Sequence, residues 1–461
     1  MKILMASTPA AGHINPMLAI GRVLMAGGHE LVCLSGTWLR DRIERAGAQF
    51  RALTQAADLD PQDILSAAPE LKVIPPGPEW MRVAIERIFI DRISPQHQSL
   101  RAALEDFPAD AIVADNTFFG VFPMLLGPRS ERLPVVVAGT SFLHWLRDDG
   151  APHFLGLPPA ATAADREQYA GAAAEIDRIV HQPVGRRLNR MLRDFGVGPI
   201  TLPLFDSIVV LADAYLQLSV PGFEFPRPIP PSVHFVGAPP IIAGQAPLPS
   251  WAGDLDGARK IVLVTQGTVA NHNFGLLVAP TLAALADEPD VLVVVSTGGR
   301  PIDAIPVSIP GNARVATYLP FEWLLPKVDA FVTNGGYGSV NQALSFGIPL
   351  VTAGLTEDKA DVNARVAWSG VGINLRTNEA APEAVREAVR AVLDTTNYRA
   401  RAGEMAAAFR GIDTRAEILR IVEQVVNGGS DAAQYEVVDS RTARAEPGTN
   451  RFARQPVMPP V

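Results

Sequence analysis

The sequence predicts an α/β protein made of two doubly wound parallel-sheet domains that face each other across a cleft. Three observations carry this expectation. The length of 461 residues exceeds what one ordinary hydrophobic core serves. Short apolar runs alternate with helical stretches in two successive series. A proline-rich stretch separates the two series. The composition is globular, 48% hydrophobic and 19% charged, and the formal charge is −8. That sign argues against broad nucleic-acid binding, which neutralises phosphates with basic surface, so an anionic substrate needs local positive potential instead.

The elements follow in order. Lys2–Ala6 reads as a buried strand, and the loop Ser7–His13 leads to Asn15 and Pro16, read as a cap and a proline at the first helical position. Met17, Ile20, Gly21 and Leu24 then recur at helical spacing until Gly27 and Gly28, and Glu30–Ser35 returns as a strand. Such a unit belongs in a parallel sheet covered on both faces. Cys33, the only cysteine, lies in the returning strand and reads as a buried, inert thiol. Runs at Ala111–Ala114 and Val135–Ala138, with Ile208–Leu211 and Tyr215–Leu218 as weaker strand candidates, extend the first domain over residues 1–220. Prolines crowd the following linker, 221–255. Lys260–Thr265, Val291–Ser296, Arg314–Thr317, Ala330–Thr333 and Pro349–Ala353 read as strands of a second domain, 256–427, which helical stretches at Pro382–Asp394 and Ala402–Gln424 complete. Residues 428–461 lack periodicity and read as a flexible tail. The first apolar run is too short for a signal peptide and no stretch is long enough for a membrane span, so a cytoplasmic protein without a transmembrane segment is expected.

In open parallel sheets, ligands sit outside the carboxyl ends of the strands, and the candidate chemistry collects there. His13, in the loop Thr8–His13, can accept a proton near neutral pH. Asp115 follows the run Ala111–Ala114. A carboxylate on one imidazole nitrogen fixes the tautomer and stabilises the imidazolium formed when the other nitrogen takes a proton. Taken singly, a capping histidine and a turn aspartate are the plain alternatives. The most specific segment is the strand Ala330–Thr333 with Asn334, Gly335, Gly336, Tyr337, Gly338, Ser339 and a helix through Phe346. Glycines admit close backbone approach and a helix amino terminus attracts anions, so a diphosphate is the natural occupant, a structural glycine turn being the alternative. Gln266–Thr268 and Ser296–Arg300 occupy neighbouring strand ends. The first loop lacks the G-x-G-x-x-G spacing, the glycine-rich loop lacks a P-loop ending, and neither metal-ligand spacing nor a nucleophile elbow occurs.

Phe331–Pro349, reading FVTNGGYGSVNQALSFGIP, resembles the donor-binding signature of the UDP-glycosyltransferase family. Gly12 and His13 with Asn15 and Pro16, VLVTQGTVAN at Val262–Asn271 and YLPFEWLLP at Tyr318–Pro326 resemble further family segments, in the family's order across nearly the whole chain. The resemblance implies a GT-B fold, with the acceptor mainly on the first domain and the nucleotide sugar mainly on the second. It also implies metal-independent transfer with inversion at the anomeric carbon. By carry-over, His13 deprotonates the acceptor hydroxyl and Asp115 balances the charge. Gly12, Thr268, Asn334, Gly335, Gly336, Gly338 and Ser339 lie on the donor, the last six holding its diphosphate. The backbone near Leu319 meets the uracil, Gln342 stands in the place of a ribose-binding glutamate, and Asp358 and Lys359 correspond to the sugar-contacting pair.

Three of these depart from the family pattern. Asn334 replaces a histidine, Gln342 a glutamate and Lys359 a glutamine, which removes charge or, for lysine, leaves only a donor. The implied reaction transfers a hexose from UDP-glucose, or from a dTDP-sugar, to a small phenolic, polyketide or lipid acceptor, without a separate cofactor. The loops Leu59–Trp80, Phe118–Leu126 and Phe142–Pro159 offer an apolar acceptor lining through Trp80, Phe118, Phe119, Phe122, Phe142, Trp145, Phe154 and Leu155, each of which could instead belong to the core. An epimerase or a donor hydrolase on the same scaffold, or a non-catalytic nucleotide-sugar-binding activator, are the rival readings.

Overall fold

A computed structural model describes residues 1–60, 64–241, 248–268 and 271–428. The expected tail thus lies, apart from Gly428, outside the described residues, as do parts of the linker and of the loop at 59–80.

Two parallel sheets organise the chain. The first has the order β3-β2-β1-β4-β5-β6-β7 and the second β10-β9-β8-β11-β12-β13. The first comprises β1 (Lys2–Ala6), β2 (Glu30–Ser35), β3 (Gln49–Ala52), β4 (Ala111–Asp115), β5 (Val135–Gly139), β6 (Ala214–Gln217) and β7 (Val233–Phe235). The second comprises β8 (Lys260–Thr265), β9 (Val291–Ser296), β10 (Ala313–Ala316), β11 (Ala330–Thr333), β12 (Leu350–Thr352) and β13 (Gly372–Asn374). Central strands such as β4, β5 and β9 are buried along their whole length, as strands covered by helices on both faces must be. Each sheet reverses its winding between two central strands, β1 beside β4 and β8 beside β11, and at such a point the loops diverge and leave a crevice.

Several expectations change. Ile208–Leu211 is the end of a helix, Leu204–Leu211, rather than a strand. Pro203 stands at its N-cap and Asp206 in its first turn, and a short apolar run alone does not distinguish a buried helix from a strand. The front helix starts at Ala11 and contains Pro16, so His13 lies in its first turn rather than in a loop. Proline there removes the bond back to the carbonyl of Gly12 and crowds that carbonyl with its ring. Strands β3, β7 and β13 carry few buried residues and went unread. The last helix, Thr414–Asn427, sits outside the lobe to which its place in the chain assigns it. Its Ile418, Ile421, Val422 and Val425 share a core with Ile14, Met17 and Leu24 of the front helix. His29 Nε2 lies 3.3 Å from Glu423 across the same seam. Among the described residues no helix is long and apolar enough to cross a membrane.

Candidate active site

At the first crevice, Asp115 ends β4 fully buried and collects donors from three segments. The Thr8 amide donates to Oδ2 at 2.5 Å. The Thr117 amide and hydroxyl donate to Oδ1 at 2.8 and 2.7 Å, and Thr8 Oγ1 reaches it at 3.3 Å. His13 Nδ1 stands 3.1 Å from the same oxygen. Thr140 gives its proton to Asn116 Oδ1 at 2.8 Å, so its oxygen accepts from Nδ1 at 2.9 Å. These partners place the proton on Nδ1 and leave the Nε2 lone pair without a partner among the described residues, and the side chain is still 24% exposed. Burial lowers the ring's basicity, but the charge and hydrogen bond of Asp115, with the charge of Asp358, outweigh it and raise His13 above the usual histidine value. Burial likewise opposes the charge on Asp115, and His13 with the Thr117 donors holds that carboxyl below the ordinary range.

The second crevice lies at the ends of β8 and β11. Gly336 is the N-cap of the helix Tyr337–Ser345, with no side-chain cap on its first amides. Gly338, Ser339 and Gln342 share the helix face left open, since residues three and four apart are neighbours. Tyr337, Val340, Asn341 and Leu344 form the buried face. Gly335 has φ 95°, and a methyl group there would stand 1.9 Å from Asn363 Oδ1. Asn363 cannot yield, because its amide nitrogen is bonded to the carbonyls of Gly354 at 2.9 Å and Asn334 at 3.3 Å. Gly335→Ala is therefore expected to weaken UDP binding at least tenfold, a close-approach glycine being irreplaceable without moving the loop. Titration calorimetry with UDP, alongside circular dichroism for the fold, reads the effect; unchanged affinity would remove the loop from the donor site.

The two crevices are joined across the cleft. Ser141 Oγ, one residue after Thr140, donates to Asp358 Oδ2 at 2.9 Å. Gln217 Nε2 bonds the Tyr337 hydroxyl at 2.5 Å, and Ser219 Oγ bonds Asn341 Oδ1 at 2.6 Å. Burial raises the carboxyl of Asp358 despite Ser141 and His13. Deeper in the seam, Arg365 is fully buried with its Nη2 2.9 Å from Glu224 Oε2 and its guanidinium over Phe225 and Phe142, at 4.3 and 4.5 Å.

Residues 281–425 match the family described as Erythromycin biosynthesis protein CIII-like, C-terminal domain. Over 431 residues the chain is 39% identical to 4'-demethylrebeccamycin synthase of Lentzea aerocolonigenes, covering 92% of this chain and 99% of that protein. It is 36% identical over 439 residues to UDP-glycosyltransferase 2 of Phaeomoniella chlamydospora, covering 92% and 95% of the two chains. The chain belongs to the UDP-glycosyltransferase family. It is also 34% identical over 414 residues to UDP-glucosyltransferase B1 of Starmerella bombicola, covering 87% and 93%. Two solved structures share the fold of this glycosyltransferase. The calicheamicin glycosyltransferase CalG4 gives a TM-score of 0.68 at 20% identity over 93% and 99% of the two chains. Spinosyn rhamnosyltransferase SpnG complexed with thymidine diphosphate gives 0.64 at 18% identity over 92% and 100%. The two-lobed GT-B architecture expected of the family is thus the architecture of this glycosyltransferase.

Within that frame the structure groups some expected residues and separates others. His13, Asp115 and Asp358 converge through the bonds given above. Asn334, expected to face phosphate, instead donates Nδ2 to the Gln266 carbonyl at 2.8 Å and is 8% exposed, tying the ends of β11 and β8 together. Thr268 is exposed beside that tie, and Gly12 opens onto free space in the first turn of the front helix. Leu319 packs into the second lobe's core. Lys359 is buried, its Nζ paired with Glu357, and burial brings its amine down to about 8. Phe118, Phe119 and Phe122 are fully buried in the core against β4 rather than lining a crevice. Sequence reasoning missed Asn116, Thr117, Thr140 and Ser141. The signal was available, since Thr140 and Ser141 follow a buried strand as Asp115 does.

Proposed function

We propose that this glycosyltransferase moves glucose from UDP-glucose to a hydroxyl of a small apolar or aromatic acceptor, with inversion and without a metal ion. The observation that carries the reading is the His13–Asp115 pair, with Nδ1 engaged and Nε2 bare, at the crevice opposite an uncapped helix amino terminus. In the proposed step, Nε2 takes the acceptor's hydroxyl proton as its oxygen attacks the anomeric carbon from the face opposite UDP. The carbon–oxygen bond to the β-phosphate breaks and the configuration inverts. Helix amides meet the charge that develops on the departing diphosphate, a type of stabilisation worth about 2.7–4 kcal/mol per donor group. Base catalysis contributes about 100-fold to 10,000-fold. The UDP-glycosyltransferase and UDP-glucosyltransferase names of the relatives support UDP-glucose over a dTDP-sugar.

The test incubates the purified protein with UDP-glucose or dTDP-glucose and a panel of hydroxylated aromatics. The expected outcome is an acceptor heavier by one hexose, β-linked by NMR when the donor is α-linked, at a rate that EDTA does not change. Free glucose as the sole product would replace the reading with hydrolysis, and an α-linked product would remove the inverting step. The pH profile follows from the raised basicity of His13. The base acts only when neutral, so kcat/KM rises with pH through a value above the usual 6.5. Asp115→Asn deletes the charge that raises the ring, and its acid limb is expected at lower pH than wild type, together with a lower kcat. An acid limb that stays in place would mean another group titrates.

A further inference from the structure

After β5 the chain runs from Thr140 to Thr162 without regular secondary structure, much of it buried. His144 in this segment is 3% exposed, and neither of its ring nitrogens has a hydrogen-bond partner. His153 Nδ1 is also buried and unpartnered. The two imidazoles meet edge to face at 5.8 Å. Phe142, Phe205 and Phe154 surround His144 at centroid distances of 4.2, 5.1 and 5.3 Å. Next to Phe205 in the chain, Asp206 is 3% exposed with an unpartnered Oδ1.

Buried polar groups find partners almost without exception, so several orphans in one aromatic nest mark a place where something else supplies the partner. The nest is also held in a costly shape. Phe154 has φ 69°, in the left-handed region that bulky residues avoid. Arg147 straps the segment through the carbonyls of Leu157 and Pro158, at 2.6 and 2.8 Å, and the Gly156 amide reaches Asp361 at 3.3 Å. Burial, with the cations Arg365 and Arg227, keeps both imidazoles below the ordinary histidine range, His144 at about 3. Both rings are therefore neutral at pH 7, and each offers one N–H donor and one acceptor nitrogen, the pair that a hydroxyl or a ring N–H satisfies.

We propose that His144 and His153, walled by the half-buried Phe154 and Phe205, form an anchoring subsite for the acceptor. It grips a planar aromatic molecule by a hydroxyl or ring N–H remote from the hydroxyl that reacts. The inference rests on the reading of aromatic-acceptor transfer above and narrows it to acceptors polar at both ends. Thr140, at the start of the same segment, bonds His13, so one stretch of chain positions the base and the far anchor.

The probes are 1-naphthol and 1,5-dihydroxynaphthalene, which differ by the distal hydroxyl alone, with UDP-glucose as donor. Wild type is expected to show a KM for the diol about tenfold below that for naphthol, because a site built to bond a hydroxyl discriminates against its absence. His144→Phe and His153→Phe are each expected to raise the diol's KM toward that of naphthol, with UDP affinity unchanged. His144→Gln, which restores a donor and an acceptor, recovers part of the preference and guards against a folding artefact. Equal KM values in wild type, or a variant that weakens both probes alike, overturn the subsite. Should neither probe be glycosylated, quenching of tryptophan fluorescence gives their affinities directly. Equal affinities then overturn the subsite, whereas diol preference without transfer to any acceptor supports it and counts against the function proposed above.

Discussion

His13→Ala is expected to abolish glycosyl transfer while leaving UDP affinity within about twofold of wild type. The loss of base catalysis alone predicts a fall of about 100-fold to 10,000-fold in kcat. Without the imidazole, the attacking oxygen keeps its proton until late in the reaction, and the hydroxyls of Thr8, Thr117 and Thr140 around Asp115 cannot take it, since all three are in donor roles. The fold should survive. Asp115 loses one partner and keeps the Thr8 and Thr117 amides and the Thr117 hydroxyl, so its charge stays solvated by hydrogen bonds. UDP affinity should survive as well, because the diphosphate amides assigned above come from the other lobe. Calorimetric titration of UDP into wild type and variant, with single-turnover rates on the same preparations, separates the two roles. A loss of nucleotide affinity as large as the loss of rate would place His13 on the donor and remove it as the base.

The second large effect concerns stability. Arg365→Met is expected to cost about 3–5 kcal/mol, the range for removing one partner of a buried ionic group. The guanidinium holds Glu224 Oε2 through Nε and Nη2, at 3.1 and 2.9 Å, and the Asp361 carbonyl at 3.0 Å. Glu224 is left with Arg227 at 3.2 Å and the Leu143 amide at 2.9 Å, and Asp361 loses its nearest cation. Burial presses Glu224 toward its neutral form, and Arg365 is the first of the cations that keep it ionised. The ring faces of Phe225 and Phe142 also lose their cation. Arg365→Lys should recover little, because lysine supplies neither the paired donors nor the planar stack. Urea unfolding of the purified proteins measures the difference. A destabilisation below about 1 kcal/mol would mean that this ion group contributes no more than an exposed pair does.

The parts of the molecule written in apolar side chains were legible in the sequence. Strands buried on both faces, such as Val291–Ser296 and Ala330–Thr333, read directly because every position is apolar or small. Short strands with one or no fully buried residue, such as Gln49–Ala52 and Val233–Phe235, give no such run and could not be found that way. Ile208–Leu211 misled for the opposite reason, being apolar enough for either element. At the site, the histidine, the aspartate and the glycine loop were legible as residue types at strand ends. Their wiring was not. Whether Asn334 faces a ligand or a backbone carbonyl depends on how close β8 lies to β11, and whether Ser141 meets Asp358 depends on how the lobes close. His144 and His153 went unread because a histidine in an irregular segment shows no period that would reveal its burial.

The placement of the final helix bears on how the cleft can move. The chain crosses from the first lobe to the second near residue 240 and crosses back before Thr414, so two covalent tethers span the gap. A body held at two points swings about the line between them and cannot drift apart or slide freely. Opening and closing should therefore resemble a book on its spine. Clipping the chain before Thr414 would strip the shelter from Ile14 and Met17, and would damage the half that carries the imidazole before it touched the glycine-rich loop.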